Sequence, residues 1–482
     1  MAALIPMWLG RAIEAFNAFV LVYFLVLNAS YIMLFFVSLA EVIRFLRRTF
    51  FSDYQQILKS DMTLPISLIV PAFNEEKTIV DTVKSLQMLN YPEFEIIVVN
   101  DGSRDATLKQ LLTGFELRRV DRVFKRSLPT NAVRGLYASP LLPNLTVVDK
   151  ERGGKADALN CGINLSRYPL FCSMDADSVI EDDALLKAVK PFMEYPDETV
   201  AVGGIVRCVN GCTVTEGRVT TIALPPRALP IFQVVEYLRA FLSGRLGWSA
   251  LRALLLISGA FGVYRKSTVV DAGGYDKHTD TEDLELVLAL HHLCRSRGRP
   301  YRIVFVPDPV CWTEVPTTWH VLRRQRNRWH RGMLQSMWRH RRMFLNPRYG
   351  IMGLVVFPYF LFFEALGPFI EVLGYVSVPL AWALGILNTK FFLMFFAVAV
   401  LFGVFLSVSA ILLEEISFRR YPGWQDLWKL VACGVLENFG YRQLLAVFKI
   451  QAFWEYLRGL RAWGGMQRVG FDRPSAAGAK SP

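Results

Sequence analysis

Long apolar stretches lie near both ends of the chain. Residues 15–40 carry no charge, and a helix rising about 1.5 Å per residue would then cross a bilayer core of about 30 Å. A signal peptide would have a shorter apolar region with a cleavage site, whereas here Arg44, Arg47 and Arg48 follow. Because basic flanks mark the cytoplasmic side, we predict an N-terminal transmembrane anchor in residues 1–50 that leads into a cytoplasmic domain.

Residues 60–320 have a different pattern, in which short β-rich runs alternate with helical periodicity. This alternation is typical of an α/β domain with a mostly parallel sheet covered on both faces. The basic stretch 118–134 interrupts the pattern and indicates a long connection. The predicted strands are 65–70, 95–99 and 145–149, and the predicted helices are 75–89, 155–165 and 182–193.

The last third of the chain is again apolar or amphipathic. Residues 321–348 predict a basic helix, with eight arginines between Arg323 and Arg342, either in the membrane interface or simply solvated. In the predicted membrane region 351–450, residues 391–413 should span. Residues 351–389 allow one crossing plus an interfacial piece or two short crossings. The pattern of residues 427–450 allows a position in the interface or packing against other helices. We predict that 451–482 is a cytosolic tail, disordered after Asp472.

Composition supports a chain of two or three structural units with a membrane-embedded part. Charged residues make up 20% of the 482 and hydrophobic residues 53%, a charged fraction lower than in most soluble domains. So much apolar surface excludes disorder of the whole chain. The seven cysteines contain no Cys-x-x-Cys pair, which argues against a disulfide scaffold or a structural zinc site.

The net charge of +12 could serve nucleic acid, an anionic membrane or a phosphate-bearing substrate. The sequence contains no signature of a nucleic-acid module. We therefore expect no nucleic-acid partner and assign the positive charge to a membrane surface and a phosphate-bearing ligand.

Acidic residues follow two of the β-rich runs, where open α/β sheets bind ligands. Asp101 could accept hydrogen bonds from a nucleobase or ribose, although Asp-Gly-Ser is also an ordinary turn. Asp175 and Asp177 are spaced so that they point to the same side of an extended chain. Such a pair suits Mg²⁺ or Mn²⁺ beside a diphosphate; the alternative is a solvated strand end with Asp175 capping the next helix.

The starts of two predicted helices carry further candidate chemistry. Gly153, Gly154 and Lys155 open a helix, which favours phosphate or is a plain loop-to-helix junction. Glu282 and Asp283 begin another helix, where a carboxylate could act as general base or simply complement the helix dipole.

Gln325, Arg328 and Trp329 share one face of the basic helix. An amide and a guanidinium can hold a diphosphate and an indole can stack on a sugar. The alternative is an ordinary membrane-interface tryptophan.

In this order, the motifs resemble those of the processive family-2 glycosyltransferases, which include cellulose, hyaluronan and poly-N-acetylglucosamine synthases. The resemblance runs over residues 66–342 and is closest to the poly-N-acetylglucosamine branch. It implies a Rossmann-like GT-A domain flanked by transmembrane and interfacial helices. The segment at Ser258 and Gly259 stands where cellulose synthases have a different acceptor motif, which counts against cellulose as the product.

The resemblance also implies a role for each matching residue. Asp283 would be the general base, with Glu282 beside it, and Asp177 would bind Mg²⁺ or Mn²⁺ with the support of Asp175. The acceptor would meet Trp329, Ser258 and Gly259. The residues implied in binding the UDP-sugar donor are Pro71, Asn74, Glu75, Asp101, Lys155, Asp175, Gln325 and Arg328.

We therefore expect an inverting glycosyltransferase that extends a β-linked exopolysaccharide, such as a biofilm polymer, from UDP-GlcNAc or UDP-glucose. Export through a multi-pass bacterial inner membrane would accompany transfer, with the catalytic domain in the cytoplasm and an accessory secretion subunit as a candidate partner. The alternative is a nonprocessive enzyme that glycosylates a membrane lipid, such as a diacylglycerol or ceramide.

Overall fold

The computed structural model describes residues 7–50, 63–215, 217–421 and 423–460. Within these residues the chain forms two compact units. The sheet unit consists of Arg44–Pro230 and Trp248–Pro316, and the helical unit comprises the described parts of Met1–Ile43, Ile231–Gly247 and Thr317–Gly464. The predicted domain 60–320 therefore needs one correction, because residues 231–247 group with the helices rather than with the sheet.

The described residues of the sheet unit form a ten-stranded sheet and a two-stranded sheet. The order in the large sheet is β3-β4-β5-β2-β1-β6-β11-β8-β12-β7, and β9 pairs with β10. The strands are β1 (Ile66–Ala72), β2 (Phe94–Asn100), β3 (Arg118–Val120), β4 (Val133–Ala138), β5 (Leu145–Lys150), β6 (Leu170–Met174), β7 (Ser178–Ile180), β8 (Thr199–Cys208), β9 (Thr213–Thr215), β10 (Arg218–Thr221), β11 (Phe261–Arg265) and β12 (Arg302–Thr313).

Helices flank this sheet and build the other unit. The α-helices are α1 (Met7–Phe50), α2 (Ile79–Gln87), α3 (Thr107–Gly114), α4 (Lys155–Leu165), α5 (Ala184–Glu194), α6 (Ala228–Leu238), α7 (Leu246–Ala250), α8 (Lys266–Asp271), α9 (Glu282–Ser296), α10 (Trp319–Arg339), α11 (Phe357–Tyr359), α12 (Gly367–Ala383), α13 (Thr389–Phe396), α14 (Phe402–Ser417), α15 (Trp424–Leu436) and α16 (Tyr441–Leu457). Short 3₁₀ turns lie at Arg341–Met343 and Pro347–Tyr349, and π-helical turns at Arg239–Arg245, Met352–Val356, Phe360–Ala365 and Ala397–Leu401.

The centre of the large sheet is parallel, as the alternating pattern predicts. Strands β5, β2, β1 and β6 are parallel neighbours, and their Val- and Ile-rich runs are almost wholly buried, because helices cover both faces of such sheets. Antiparallel neighbours β4 and β11 flank this centre. The basic stretch 118–134 is the connection that carries β3 and leads into β4 at one sheet edge.

Close packing of α4 against the sheet depends on Gly162. A Cβ atom at this position would collide with the side chain of Ile69 on β1. Glycine therefore lets the helix approach the strand closely, which fixes the position of Lys155 at the helix start.

The helical unit contains two described helices that are long and apolar enough to cross a membrane, Trp8–Arg48 and Thr389–Ser417. They match the predicted anchor and the predicted span 391–413. A third candidate is the pair Met352–Ala365 and Gly367–Ala383, which is bent by 44° at its break. The uncertain region 351–389 thus forms one bent pair.

The apolar core of the helical unit joins α1 to the C-terminal helices. Val20 and Phe24 on α1 belong to the same buried cluster as Val378 on α12 and Phe395 on α13. The segment 427–450 forms parts of α15 and α16, which pack against α14 and α10. Of the two alternatives for this segment, packing against other helices is the one observed.

The predicted tail from residue 451 begins too early, because α16 continues to Leu457. Its predicted disorder after Asp472 concerns positions outside the described residues. All seven cysteines are buried and free.

Candidate active site

The candidate residues of the sheet unit meet where the parallel strands end. Ala72 on β1 pairs with Asn100 on β2, which in turn pairs with Asp149 on β5. Strand β11 runs antiparallel to β6, with Phe261 opposite Met174. The carboxyl ends of four strands and the start of β11 therefore share one sheet edge, the usual ligand-binding edge of such sheets.

Asp101 is buried directly after β2 and is held by the chain itself. One carboxylate oxygen accepts hydrogen bonds from Lys150 Nζ (2.6 Å) and from the N–H of Gly153 (2.9 Å), and the other accepts from the N–H of Gly154 (2.7 Å). Gly154 has φ +90°, a conformation that favours glycine. In this structure Asp101 therefore orients the turn before α4, a role that its sequence pattern did not predict.

The loop after β1 is braced against the loop after β2. Asn74 has φ +57°; its N–H donates to Ser103 Oγ (3.0 Å), and its Oδ1 accepts from the N–H of Arg104 (2.9 Å). The N–H of Glu75 donates to Thr107 Oγ1 (2.9 Å). Pro71 lies within β1 just before this loop, so the predicted donor-binding residues Pro71, Asn74 and Glu75 form one rigid strand end.

Sequence reasoning missed Arg152, whose guanidinium lies 4.2 Å from the centre of the Phe73 ring. This stacking joins the loop after β1 to the turn before α4. The sequence does show an arginine directly before Gly153 and Gly154. It does not show that the partner of this arginine is Phe73.

Lys155 sits between two carboxylates. Its ammonium is 2.5 Å from Asp175 Oδ1 and 3.0 Å from Glu282 Oε1. Burial alone would lower the pKa of Lys155, but the carboxylates of Asp175 and Glu282 outweigh burial and raise it. Lys155 thus remains charged between these two carboxylates.

Asp175 and Asp177 follow β6 in a tight turn. The N–H of Ser178 donates to the carbonyl of Asp175 (3.1 Å), and Thr82 Oγ1 donates to the carbonyl of Ala176 (2.7 Å). The alternative that Asp175 caps a helix is wrong, because β7 begins at Ser178. The turn therefore presents two carboxylates beside the strand end, with Asp177 buried and Asp175 partly exposed.

The carboxylate pair fits a divalent cation of a particular kind. Among the described residues no group of three or more His, Cys, Asp or Glu side chains could hold a metal ion. Mg²⁺ commonly takes one or two carboxylates and completes its shell with water and substrate phosphates. Asp175 and Asp177 supply oxygen donors of that number and type, so they suit a cation that shares its ligands with a diphosphate.

Asp283 lies in the first turn of α9 and is fixed by two backbone groups. Its Oδ2 accepts from the N–H of Gly259 (2.9 Å) and its Oδ1 from the N–H of Leu284 (2.8 Å). Burial and the negative charge of Glu282 raise the pKa of Asp283 above its ordinary value, although Lys155 and the two N–H groups act in the opposite direction. A raised pKa strengthens a carboxylate as a general base.

Gly259 lies beside both Lys155 and Asp283. A Cβ atom at Gly259 would lie 2.9 Å from Lys155 Nζ and 3.3 Å from Asp283 Oδ2. The structure thus brings Ser258 and Gly259 to the Asp283 carboxylate; the acceptor contact that the resemblance implies for them stays a prediction.

The residues Gln325, Arg328 and Trp329 lie on α10 in the helical unit. Gln325 is buried, whereas Arg328 and Trp329 are partly exposed. The guanidinium of Arg326 stacks 4.4 Å from the Trp329 ring centre and also pairs with Glu236 at 2.9 Å. The roles predicted for Gln325 and Arg328 in binding the diphosphate, and for Trp329 in binding the acceptor, stay predictions.

The basic helix is less exposed than a purely interfacial helix would be. Arg326 and Arg331 are buried, and Arg331 pairs with Glu455 on α16 at 3.1 Å. Part of its positive charge therefore serves internal packing of the helical unit, which the count of eight arginines does not reveal.

Two family models match the chain. The model described as Glycosyl transferase family 2 matches residues 67–233, and the one described as Glycosyl transferase family group 2 matches residues 170–408. The chain belongs to the family-2 glycosyltransferases and is a glycosyltransferase enzyme, and its sheet unit has the GT-A fold. Both the family and the fold predicted from the motifs are confirmed.

Within this family the chain is similar to poly-beta-1,6-N-acetyl-D-glucosamine synthases. It is 31% identical over 278 residues to that of Staphylococcus epidermidis (strain ATCC 35984), covering 57% of this chain and 56% of the relative. It is 30% identical over 268 residues to that of Staphylococcus aureus (strain COL), covering 55% and 54%. The chain thus spans little more than half the length of these relatives.

Two solved structures illustrate which known folds have a related course of the chain. One is the mannosyltransferase PcManGT from Pyrobaculum calidifontis in complex with GDP-Man and Mn²⁺, at 19% identity and a TM-score of 0.48, covering 90% of this chain and 100% of that one. The other is TarS 1–349 of S. aureus in complex with UDP-GlcNAc, at 16% identity and a TM-score of 0.37, covering 79% and 92%. Both scores are below 0.5, and no conclusion about this chain rests on them.

Proposed function

We propose that this enzyme is an inverting polysaccharide synthase of a bacterial inner membrane. It transfers a sugar from UDP-GlcNAc or UDP-glucose to the end of a growing β-linked exopolysaccharide and couples transfer to export. The observation that carries the proposal is the Asp283 carboxylate, fixed by the Gly259 N–H (2.9 Å) beside the Lys155–Asp175–Glu282 cluster.

The reaction needs a base at this position. A hydroxyl of the acceptor sugar attacks the anomeric carbon of the donor and gives its proton to Asp283. The new carbon–oxygen bond forms as the bond between that carbon and the diphosphate oxygen breaks. Because there is one displacement, an α-linked donor yields a β-linked product, and UDP leaves.

The donor side is built from the strand ends. Pro71, Asn74 and Glu75 form a rigid edge for the base and ribose, and Asp101 holds the turn that presents Lys155. We propose that Asp177 and Asp175 hold Mg²⁺ or Mn²⁺ together with the donor phosphates, where the cation would neutralise charge on the leaving diphosphate. Lys155 meanwhile keeps a positive charge beside Asp175.

The acceptor and membrane parts of the proposal rest on α10 and the apolar helices. Gln325 and Arg328 would hold the diphosphate, and Trp329 would stack on the acceptor sugar. The predicted anchor ends in Arg44, Arg47 and Arg48, which supports a cytoplasmic catalytic domain in a multi-pass protein. Membrane lipid and an accessory secretion subunit are further partners that we propose.

The relatives favour a polymer over a glycolipid. The similar proteins named above are synthases of poly-β-1,6-N-acetylglucosamine, which supports UDP-GlcNAc as the first donor to examine. We therefore place the glycolipid alternative second.

The test uses membranes containing the full chain, a panel of radiolabelled UDP-sugars, and Mg²⁺ or Mn²⁺. We expect one donor to give a large product that stays in water, and we expect a chelator in excess to stop its formation until the cation is restored. A small product that partitions into organic solvent would overturn the polymer proposal. Transfer that persists in excess chelator would remove the metal from it.

A further inference from the structure

Four charged side chains form a continuous network beneath the proposed donor site. Lys150 Nζ lies 2.6 Å from Asp101 Oδ1 and 2.6 Å from Asp157 Oδ2, and Lys277 pairs with the other oxygen of Asp157. We call Asp101, Lys150, Asp157 and Lys277 the charge network. It contains two positive and two negative groups, so its formal charges balance.

The network is buried to an unusual degree. The side chains of Lys150 and Asp157 are both 0% exposed, and that of Lys277 is 30% exposed. Charges taken out of water are costly unless they are paired and hydrogen-bonded. Burial alone would raise the pKa of Asp157, but its bonds to Lys150 and Lys277 outweigh burial and lower it.

Asp157 is the centre of the network, and one side of it faces the donor turn. Through Lys150 it is linked to Asp101, which holds the N–H groups of Gly153 and Gly154. Asp157 itself packs so closely against Gly153 that a Cβ atom there would lie 2.5 Å from its Oδ2. The backbone that presents Lys155 is therefore fixed by charges on both sides.

The other side of the network faces the segment that carries the base. Lys277 belongs to the loop between α8 and α9, a few residues before Glu282 and Asp283. Its ammonium reaches from this loop to the fully buried carboxylate of Asp157. The loop is thus tied to the first turn of α4, the same turn whose Lys155 contacts Glu282.

We propose that Asp157 is a positioning residue that sets the distance between the donor-binding turn and the base-bearing start of α9. This inference rests on the proposed function, since it assigns the two sides of the network to donor and base. Lys150 transmits its effect to the donor side and Lys277 to the base side. Neither Asp157 nor Lys277 touches the reacting atoms.

The two arms of the network predict different kinetic effects. Lys277→Met should lower kcat about tenfold with little change in the donor KM, because misplaced catalytic groups lose rate while binding persists. Lys150→Met should raise the donor KM and weaken UDP binding measured by calorimetry. Asp157→Asn, which keeps the shape but removes the charge, should change both parameters.

Rescue and coupling separate positioning from a merely structural role. Lys277→Arg keeps the charge and should restore kcat to within about twofold of the natural enzyme. Adding Lys277→Met to Asp157→Asn should lower kcat little further, because both act through one contact.

Lys187→Met is the matched control, since Lys187 is also buried and bridges two carboxylates, Asp183 at 2.9 Å and Asp308 at 2.8 Å. It should lower thermal stability without separating KM from kcat. Network variants that behave like this control would overturn the inference.

Turnover of a UDP-sugar and UDP binding are measured first in the natural enzyme, because these two results test the proposed function. Failure of both would end the proposed function. Turnover in the natural enzyme, together with unchanged kcat in Lys277→Met and unchanged UDP binding in Lys150→Met, would overturn the inference alone.

Discussion

The sheet unit and the helical unit bury charge in different ways. At the carboxyl ends of the strands, one lysine lies between two carboxylates. Lys155 contacts both Asp175 and Glu282, and its side chain is 24% exposed. In the helical unit, arginines pair with glutamates of other helices. Arg326 meets Glu236, and Arg239 meets Glu437, a glutamate that is fully buried.

The difference separates charges that can exchange partners from charges that cannot. Lys155 lies between two partly exposed carboxylates and can turn to a phosphate group when a substrate arrives, because its ammonium is a compact charge on a flexible stem. The Glu437 carboxylate, in contrast, is fully buried, so losing one partner of its pair with Arg239 leaves a charge without its counter-charge. The first arrangement suits chemistry, and the second holds helices together.

The largest effect should come from the carboxylate assigned as base. Asp283→Asn removes the proton acceptor, so we expect turnover to fall by roughly 10²–10⁴-fold, while UDP binding stays nearly unchanged. Radiolabelled product formation and calorimetry measure the two quantities. Asp271→Asn, which breaks an exposed pair with Arg297, is the control and should leave both unchanged; full turnover in Asp283→Asn would refute the assignment.

A large effect of another kind should come from the helical unit. Glu437→Gln leaves the Arg239 guanidinium without its buried counter-charge and weakens the bond from Ser407 Oγ (2.6 Å). We expect the free energy of unfolding to fall by about 3–5 kcal/mol, with turnover per folded molecule preserved. Thermal unfolding in detergent and an assay normalised to folded protein test both.

The matched control for this variant is Glu415→Gln, which breaks an exposed pair with Arg419. We expect it to change stability by less than about 1 kcal/mol. Equal stability losses in the two variants would end the distinction between buried and exposed pairs.

A smaller effect is expected from a substitution of Trp329 on α10. Trp329→Ala removes the proposed stacking surface for the acceptor, so elongation should fall about tenfold, equivalent to about 1.4 kcal/mol, and donor hydrolysis should fall less. Trp338→Ala is a close control, because Trp338 is exposed on the same helix and also carries a stacked arginine, Arg341. Parallel loss of elongation and hydrolysis in Trp329→Ala would count against acceptor stacking.

The smallest effect is a shift along the pH axis. Because burial and Glu282 raise the pKa of Asp283, the base becomes protonated as pH falls through that raised value. The acid limb of turnover should therefore lie above the ordinary aspartate range near pH 4. Glu282→Gln should move this limb to lower pH; an unmoved limb would mean that another group sets it.

The sequence predicts the centre of the sheet well because the physical cause is local. A strand buried on both faces must be apolar along its length, and a carboxylate directly after such a strand is visible in the sequence. Asp101, Asp175 and Asp177 were found in this way, and the structure places them at strand ends. That Asp101 also holds the turn before α4 was not predicted, because its partners Gly153 and Gly154 are distant in the chain.

What the sequence did not predict depends on contacts between distant segments. Nothing near Asp157 indicates that Lys277 reaches it, and Lys150 stands just after the predicted strand 145–149 with no sign of its partners. The domain boundary was wrong at 231–247 for the same reason: an amphipathic helix can cover a sheet or join a bundle with equal periodicity. Packing partners decide between these outcomes, and periodicity does not record them.

All seven cysteines are buried, so we expect the natural chain to react very little with thiol reagents. The thiolate is the reactive form, and burial raises the pKa of both Cys161 and Cys172 to about 12. A single cysteine introduced at the fully exposed Val123 would therefore take a label without prior removal of native thiols. Spectroscopic probes could then follow the sheet unit during synthesis in an otherwise unaltered enzyme.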